Sequence, residues 1–165
     1  DLFTPEEQEK AFEVISLQDG EILFMRNFLS ATEAKNYFDL LQNNINWKQE
    51  EVNFYGKTYS VPRKTAWYGY EGFNYSYSGI NCLPEIWTKE LLEIKFQIEK
   101  FITGEDFTSV LLNLYNDGND KMGWHADNEK ELGENPTIAS VSLGETRRFD
   151  IKHRQNPDLN FKFEL

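Results

Sequence analysis

The sequence predicts an α+β protein in which helices brace a β-sandwich or a jelly roll. Two stretches with apolar residues at helical spacing come first, and a series of strand-like stretches follows. With 165 residues, 39% hydrophobic and 15% aromatic, the chain can bury the core of one domain. Because a closed jelly roll needs about eight strands, and the last strand-like stretch begins only at Phe161, we expect the jelly roll to be incomplete at the C-terminus.

Composition excludes some classes of protein. No apolar run approaches the ~20 residues of a membrane-spanning helix, and the N-terminus lacks the basic start and apolar centre of a signal peptide. The single cysteine, Cys82, cannot form an internal disulfide. A formal charge of −11 argues against binding nucleic acid by bulk positive charge, although a local basic surface stays open. We expect an intracellular monomer, cytoplasmic or nuclear, without a membrane partner.

Residues 1–45 are predicted to form an N-terminal extension and the first helix. Residues 1–13 are charge-rich and indicate a loose arm or a short surface helix. The stretch Glu21–Phe28 is typical of a strand that ends in a turn. Ser30 and Glu33 make a capping box, which predicts that the helix begins there.

Residues 46–83 are aromatic, contain glycine and favour β-structure, so they are predicted to form hairpins. A second, bracing helix is predicted over residues 84–104, because Pro84 suits a first helical position and Gly104 a C-terminal end. Its apolar stripe comprises Trp87, Leu91, Ile94, Ile98 and Phe101.

Residues 105–165 change from helical spacing to strand-like patterns, which predicts the first part of the jelly-roll core. These residues and the three preceding segments form one predicted domain. Four strands are expected, at Phe107–Tyr115, Thr137–Leu143, Arg148–His153 and Phe161–Leu165.

One short motif carries candidate chemistry. His125 and Asp127 form an H-x-D pair, and on an extended strand residues two apart project from the same face. One imidazole and one carboxylate are two-thirds of the facial triad that holds Fe(II) in non-heme oxygenases. The pair alone is weak evidence, since such pairs are mostly surface coincidences.

Two polar side chains precede the pair. Asn113 and Tyr115 alternate along a predicted strand and would share one face, where an amide and a phenol suit hydrogen bonds to a small dicarboxylate. Tyr115 alone is equally typical of a packed core aromatic. Asn113 lies between two leucines and needs a partner if it is buried.

Four runs occur in order: VPRKTAWYG, YSYSG, LLNLYNDGNDKMGWHADNEKEL and PTIASVSLGETRRFDIKHR. Together they resemble the AlkB family, the Fe(II)- and 2-oxoglutarate-dependent oxygenases that remove alkyl groups from nucleic-acid bases. The resemblance extends from about Val52 to Arg154, above all to the homologues that repair alkylated DNA. It implies that the fold is a double-stranded β-helix (jelly roll) braced by N-terminal helices and incomplete at the C-terminus. It also implies that the hairpins of residues 46–83 recognise the nucleotide.

The resemblance implies roles for ten residues. His125 and Asp127 would bind Fe(II), and Asn113 and Tyr115 would bind 2-oxoglutarate. The implied substrate-binding residues are Tyr55, Arg63, Tyr75, Tyr77, Asn128 and Glu129.

Physical reasons accompany the substrate assignments. Tyr55 matches a hairpin tip that wedges into the duplex, Arg63 lies near the extruded nucleotide, and Tyr75 and Tyr77 flank its pocket. Many relatives carry an acid at the position of Asn128, so base selectivity stays open. Without the resemblance, the tyrosines are equally typical of hairpin and half-buried strand residues, and Arg63 of a surface charge.

A basic segment lies near the C-terminus. Arg147, Arg148, Lys152 and Arg154 stand against one acid, Asp150. The segment is a candidate for contacts with a nucleic-acid backbone. A mixed-charge strand face is nearly as good an interpretation.

The sequence departs from the family in its ligands. The family has a second iron-binding histidine and two arginines for 2-oxoglutarate, and this sequence stops before either motif. The other histidine, His153, stands where relatives have no metal ligand, so it is not expected to complete the site. We therefore expect weak iron binding by the chain as it stands and a truncated sequence.

The predicted function is oxidative demethylation of N-alkylated bases in DNA, with RNA as a second possibility, using Fe(II), 2-oxoglutarate and O₂. The products would be formaldehyde, succinate, CO₂ and the repaired base. One alternative is a non-catalytic nucleic-acid-binding homologue, and another is a hydroxylase that acts on a protein or a small molecule. The preferred lesion and the choice of single or double strands stay open.

Overall fold

The computed structural model describes residues 12–72, 75–77, 80–127, 132–156 and 158–165, without the side chains of residues 54, 75–77 and 80–82. Within these ranges the secondary structure mixes helices with mostly antiparallel strands, which confirms the predicted α+β class. The elements are β1 (Glu13–Leu17), β2 (Gly20–Phe24), α1 (Ala31–Asn44), β3 (Lys48–Phe54), β4 (Lys57–Gly69), β5 (Tyr75–Tyr77), β6 (Ile80–Cys82), β7 (Glu85–Ile86), α2 (Lys89–Glu99), β8 (Ser109–Leu114), β9 (Arg148–Lys152) and β10 (Asn160–Glu164). Neither described helix is long and apolar enough to cross a membrane.

The chain divides into two compact units, and the boundary between them falls inside α1. One unit contains the described residues of Asp1–Asp39 together with Val141–Leu165, and the other is Leu40–Ser140. The candidate site lies in the second unit.

The first unit contains two antiparallel hairpins, β1–β2 and β9–β10. The rings of Phe24 and Phe163 lie 5.7 Å apart, and the guanidinium of Arg26 lies 4.8 Å from the Phe24 ring. The strand predicted over Glu21–Phe28 ends at Phe24, because the chain then turns with Asn27 in the left-handed region at φ 54°. The predicted strands that correspond to β9 and β10 are confirmed.

The start of α1 confirms the predicted capping box. The backbone N–H of Glu33 donates to Ser30 Oγ at 3.3 Å, while Glu33 Oε2 accepts from the Ser30 backbone N–H at 2.9 Å. These reciprocal bonds satisfy N–H groups that lack an intrahelical partner.

The second unit is organised around β4. This strand pairs with β3 and β8 in antiparallel fashion and with β7 in parallel. The register sets Ala66 opposite Leu112 and Tyr68 opposite Val110, which places these four residues on one face of the sheet. That face packs into the core with Leu91 of α2. Residues that alternate with them lie on the opposite face.

The second helix begins later than predicted. Pro84 precedes the short strand β7, and α2 begins at Lys89 behind the N-cap Thr88, whose hydroxyl accepts from the Leu91 backbone N–H at 3.3 Å. The helix also ends before Gly104, at Glu99. A threonine that caps a helix by a side-chain bond is a stronger start signal than a proline alone.

The strand predicted over Thr137–Leu143 is wrong, since these residues are irregular in the structure. Their alternating pattern favours a strand, but a strand forms only where a neighbour supplies a hydrogen-bonding partner. Ile138 is 54% exposed, and the Thr137 hydroxyl instead donates to Glu105 at 2.8 Å. The strand predicted over Phe107–Tyr115 is confirmed as β8.

Candidate active site

A bulge in β4 shapes one end of the candidate site. Here β4 carries three residues, Val61–Arg63, opposite the single residue Glu50 of β3. Pro62 has no N–H to give to a ladder, which is why prolines within sheets concentrate at edges and bulges. The side-chain amide of Gln49 donates to the carbonyl oxygens on either side of Pro62, at 2.7 and 3.2 Å. The irregular backbone is therefore held in one conformation.

Arg63, at the end of this bulge, is buried. It is 8% exposed, and its Nε donates to Asn113 Oδ1 at 2.8 Å. Among the residues that the structure describes, no carboxylate forms an ion pair with Arg63. The interpretation of Arg63 as a surface charge is therefore wrong.

The neighbouring side chains extend a polar row on the same side of the sheet. This row consists of Arg63, Thr65, Glu50 and Asn113. The Thr65 hydroxyl donates to Glu50 at 3.0 Å, and Thr65 lies directly opposite Asn113 in the β4–β8 ladder. By strand alternation the half-buried Tyr115, just after β8, continues the face of Asn113.

The chain after Tyr115 forms a loop that returns to the bulge. Asp120 accepts from the backbone N–H and the side-chain amide of Asn116, both at 2.8 Å. The backbone N–H of Lys121 donates to the carbonyl oxygen of Pro62 at 3.0 Å. This bond ties the loop, and with it the H-x-D pair further along, to the segment that carries Arg63.

His125 and Asp127 lie close together on that loop. His125 Nε2 is 3.5 Å from Asp127 Oδ1, and both side chains are 45% exposed. The two residues lie on an irregular loop and not on an extended strand, but the loop brings the two groups together. His125 Nδ1 lies 2.9 Å from the carbonyl oxygen of Gly123. Because a carbonyl accepts, Nδ1 carries the proton and Nε2 keeps the lone pair that a metal needs.

The pair fits two ligands of a divalent ion. Bonds of about 2.1 Å from an imidazole nitrogen and a carboxylate oxygen can span the observed separation. Within the described ranges, no cluster of three histidine, cysteine, aspartate or glutamate residues could hold a metal. The pair thus offers one imidazole and one carboxylate, which are two of the three ligand groups that a facial triad needs.

His153 is engaged elsewhere. Its Nε2 lies 3.2 Å from Asp19, and its Nδ1 accepts backbone N–H bonds from Gln155 and Asn156 at 3.3 and 3.0 Å. Nδ1 therefore serves a local turn, and Nε2 faces Asp19 in the turn between β1 and β2.

The predicted substrate residues are only partly described. Tyr55 forms the tip of the β3–β4 hairpin, is 92% exposed and has a φ of 48°. Tyr75 and Tyr77 lie in β5, but their side chains are not described, and Asn128 and Glu129 lie outside the described residues. Their assignments, like that of Tyr55, stay predictions.

Polar groups also brace the opposite, core-facing side of the sheet. The Nζ of Lys95, 4% exposed along its side chain, lies 2.7 Å from Glu99 and 2.9 Å from Asp106. Burial lowers the pKa of Lys95, but the bonds to the two carboxylates together outweigh it and raise the pKa above its usual range. Burial raises the pKa of the Tyr68 hydroxyl, and this effect outweighs the hydrogen bond from the Asn46 backbone N–H, which lowers the pKa.

The basic segment contains an internal ion pair. Arg148 and Asp150 are joined at 2.7 Å, and hydrogen bonding to Arg148 lowers the pKa of Asp150. At this position the structure therefore supports the interpretation as a mixed-charge strand face.

Two residues that hold the site together were not predicted from the sequence. Gln49 supports the bulge from another strand, and Lys121 joins the loop to it through backbone atoms. The available signal was Pro62, since a proline within a strand-like run indicates a bulge or an edge.

Comparison with known proteins defines the class to which this sheet and site belong. The model of the 2OG-Fe(II) oxygenase superfamily matches residues 21–165, and the chain belongs to this superfamily. Its fold is a jelly roll, so the predicted fold class is confirmed.

Individual relatives are more specific. The chain is 38% identical over 157 residues to the alpha-ketoglutarate-dependent dioxygenase alkB homolog 3 of Bos taurus, covering 93% of this chain and 54% of the relative. It is 35% identical over 159 residues to the DNA oxidative demethylase ALKBH2 of Mus musculus, covering 94% and 64%. A protein of the latter name from Arabidopsis thaliana is 33% identical over 142 residues, covering 84% and 45%. The resemblance inferred from the motifs is confirmed, and the chain spans about half the length of the curated relatives it matches.

Proposed function

We propose that this protein removes alkyl groups oxidatively from N-alkylated bases of DNA, with RNA as the second candidate substrate, inside the cell. The names of its relatives support a DNA oxidative demethylase. The observation that carries the proposal is the H-x-D pair, whose nitrogen and oxygen lie 3.5 Å apart on a loop bonded to the bulge that contains Arg63. Membership of an Fe(II) and 2-oxoglutarate superfamily supports these cofactors.

The metal-binding side would use His125 and Asp127. The hydrogen bond from His125 Nδ1 to the Gly123 carbonyl orients the imidazole before any ligand arrives. When bound, Fe(II) and 2-oxoglutarate supply an oxidant from O₂ that hydroxylates the carbon on the base nitrogen, with succinate and CO₂ formed alongside. A methyl group hydroxylated in this way would leave the base as formaldehyde.

The co-substrate side would use Asn113 and Tyr115. An amide N–H and a phenol O–H are donors that suit the carboxylates of 2-oxoglutarate. Both residues are half-buried, so the hydrogen bonds they make would be partly shielded from water.

The nucleic-acid side would use the hairpin and its neighbours. An alkylated base inside a duplex must leave the stack to reach an oxidant, which costs a few kcal/mol. The exposed ring of Tyr55 at the hairpin tip suits a wedge that fills the vacated space. Arg63, Tyr75, Tyr77, Asn128 and Glu129 are the further residues that we propose around the extruded base.

The test is formaldehyde release by the full-length protein with Fe(II), 2-oxoglutarate and a methylated oligonucleotide. We expect His125→Ala to abolish release and to leave oligonucleotide affinity unchanged. The matched control is His153→Ala, which should release formaldehyde as the wild type does, because its two ring nitrogens are already engaged by Asp19 and by a local turn.

The other outcomes identify the alternatives. Oligonucleotide binding without formaldehyde would refute the proposal in favour of a non-catalytic binding protein. Turnover of 2-oxoglutarate that alkylated nucleic acid does not stimulate would refute it in favour of a hydroxylase of proteins or small molecules.

A further inference from the structure

Arg63 is a buried cation whose charge no described carboxylate neutralises. It is 8% exposed, and its described side-chain hydrogen bond runs from Nε to Asn113 Oδ1. Burying a charged group is costly unless a partner compensates it. A site that keeps such a group favours an anionic ligand.

The bond to Asn113 has a directional consequence. An asparagine side chain has one carbonyl oxygen and one NH₂ group, which lie in one plane on opposite sides of the Cβ–Cγ bond axis. Because Arg63 donates to Oδ1, the amide cannot rotate by half a turn without setting N–H against N–H. The two N–H donors of Asn113 are therefore held on the side away from Arg63.

The backbone around Arg63 is fixed as well. Gln49 donates to the Arg63 carbonyl oxygen at 3.2 Å, and Lys121 donates to that of Pro62 at 3.0 Å. Guanidinium groups have a rigid, planar set of donors. A rigid donor on a fixed backbone can transmit a precise orientation to Asn113.

We propose that Arg63 is a positioning residue for 2-oxoglutarate, which fixes the Asn113 amide with its donors toward the co-substrate carboxylate. The inference rests on the proposed function, because it takes Asn113 as a co-substrate ligand. It differs from the nucleotide contact implied by the family resemblance, since it requires an effect on 2-oxoglutarate without nucleic acid.

The experiment measures 2-oxoglutarate affinity by anaerobic calorimetry on full-length protein loaded with Mn(II), without oligonucleotide. Arg63→Met should weaken the affinity about tenfold, which is within the range that one ordinary hydrogen bond supplies. Arg63→Met should have no further effect in an Asn113→Ala background, because Arg63 acts through Asn113. The matched control is Lys64→Met, on the next residue of β4, which should bind as the wild type does.

The outcomes separate this inference from the proposed function. If the wild type does not bind 2-oxoglutarate, the proposed function fails. If the wild type binds and Arg63→Met binds equally well, the inference alone fails. Additive losses in the double variant would also overturn it, because Arg63 would then contact the ligand directly. If thermal unfolding shows that Arg63→Met is misfolded, Arg63→Lys replaces it in the comparison with Asn113→Ala, because lysine keeps the charge without the planar donors.

Discussion

Replacing Tyr55 by asparagine should stabilise the fold and impair the function. Tyr55 and Gly56, at the tip of the β3–β4 hairpin, have φ values of 48° and 76°, as the central residues of a type I′ turn require. This left-handed region costs an ordinary residue roughly 1–2 kcal/mol. Asparagine adopts it more readily, and Asn-Gly is a preferred type I′ pair.

The expected gain follows from exposure. Because Tyr55 is 92% exposed, the substitution removes little buried surface. We expect a gain of about 1 kcal/mol in the free energy of unfolding, which is about 2–4 °C in Tm for a chain of this size. Strain that persists at an exposed aromatic is typical of a functional residue.

Two assays test this prediction. Chemical denaturation of wild type and Tyr55→Asn gives the change in stability, and formaldehyde release from a methylated duplex gives the change in function. Unchanged or lower stability would refute the assignment of strain. Full activity of the variant on duplex substrate would refute the role of Tyr55 as a wedge.

Three further predictions concern stability. Glu99→Ala should lower the free energy of unfolding by about 2–3 kcal/mol in chemical denaturation, because it removes a carboxylate from the buried ammonium of Lys95. Lys95→Met removes the buried charge itself and should cost less, so a larger loss in Lys95→Met would contradict this prediction. Arg148 lowers the pKa of Asp150 below its ordinary value of 3.8. The ion pair therefore stabilises the fold at pH values above 3.8, and this contribution is lost as the pH falls through the lowered pKa. The Tm difference between wild type and Asp150→Asn should therefore vanish in acid, and a difference that persists would count against the pair. Gly69→Ala should lower the free energy of unfolding by about 1–3 kcal/mol, because the new Cβ would lie 3.0 Å from a side-chain carbon and 3.1 Å from a backbone oxygen. An unchanged denaturation midpoint would show that this contact relaxes.

Local patterns predicted the elements whose signals are contained within a few residues. The capping box at Ser30 locates the start of α1, because both of its hydrogen bonds join residues three apart. The alternation in β8 likewise predicts a strand that the structure contains. Thr137–Leu143 has a comparable pattern but no strand, because strand formation depends on partners distant in sequence.

In the candidate site, too, local patterns identify some residues, and contacts between residues distant in sequence decide the rest. The spacing of His125 and Asp127 identifies the pair, although a loop rather than a strand brings them together. The burial of Arg63 could not be predicted locally, because its partner Asn113 is fifty residues away in sequence. The proline in the bulge marked an irregularity but did not indicate which side chain it would turn inward.

Anaerobic titration of Fe(II) into the full-length protein tests the central claim most directly. We expect one tight site in the wild type and its loss in both His125→Ala and Asp127→Ala, with unchanged Tm for the metal-free proteins because both side chains are 45% exposed. Wild-type Fe(II) affinity in either variant would contradict the assignment of the metal to this pair.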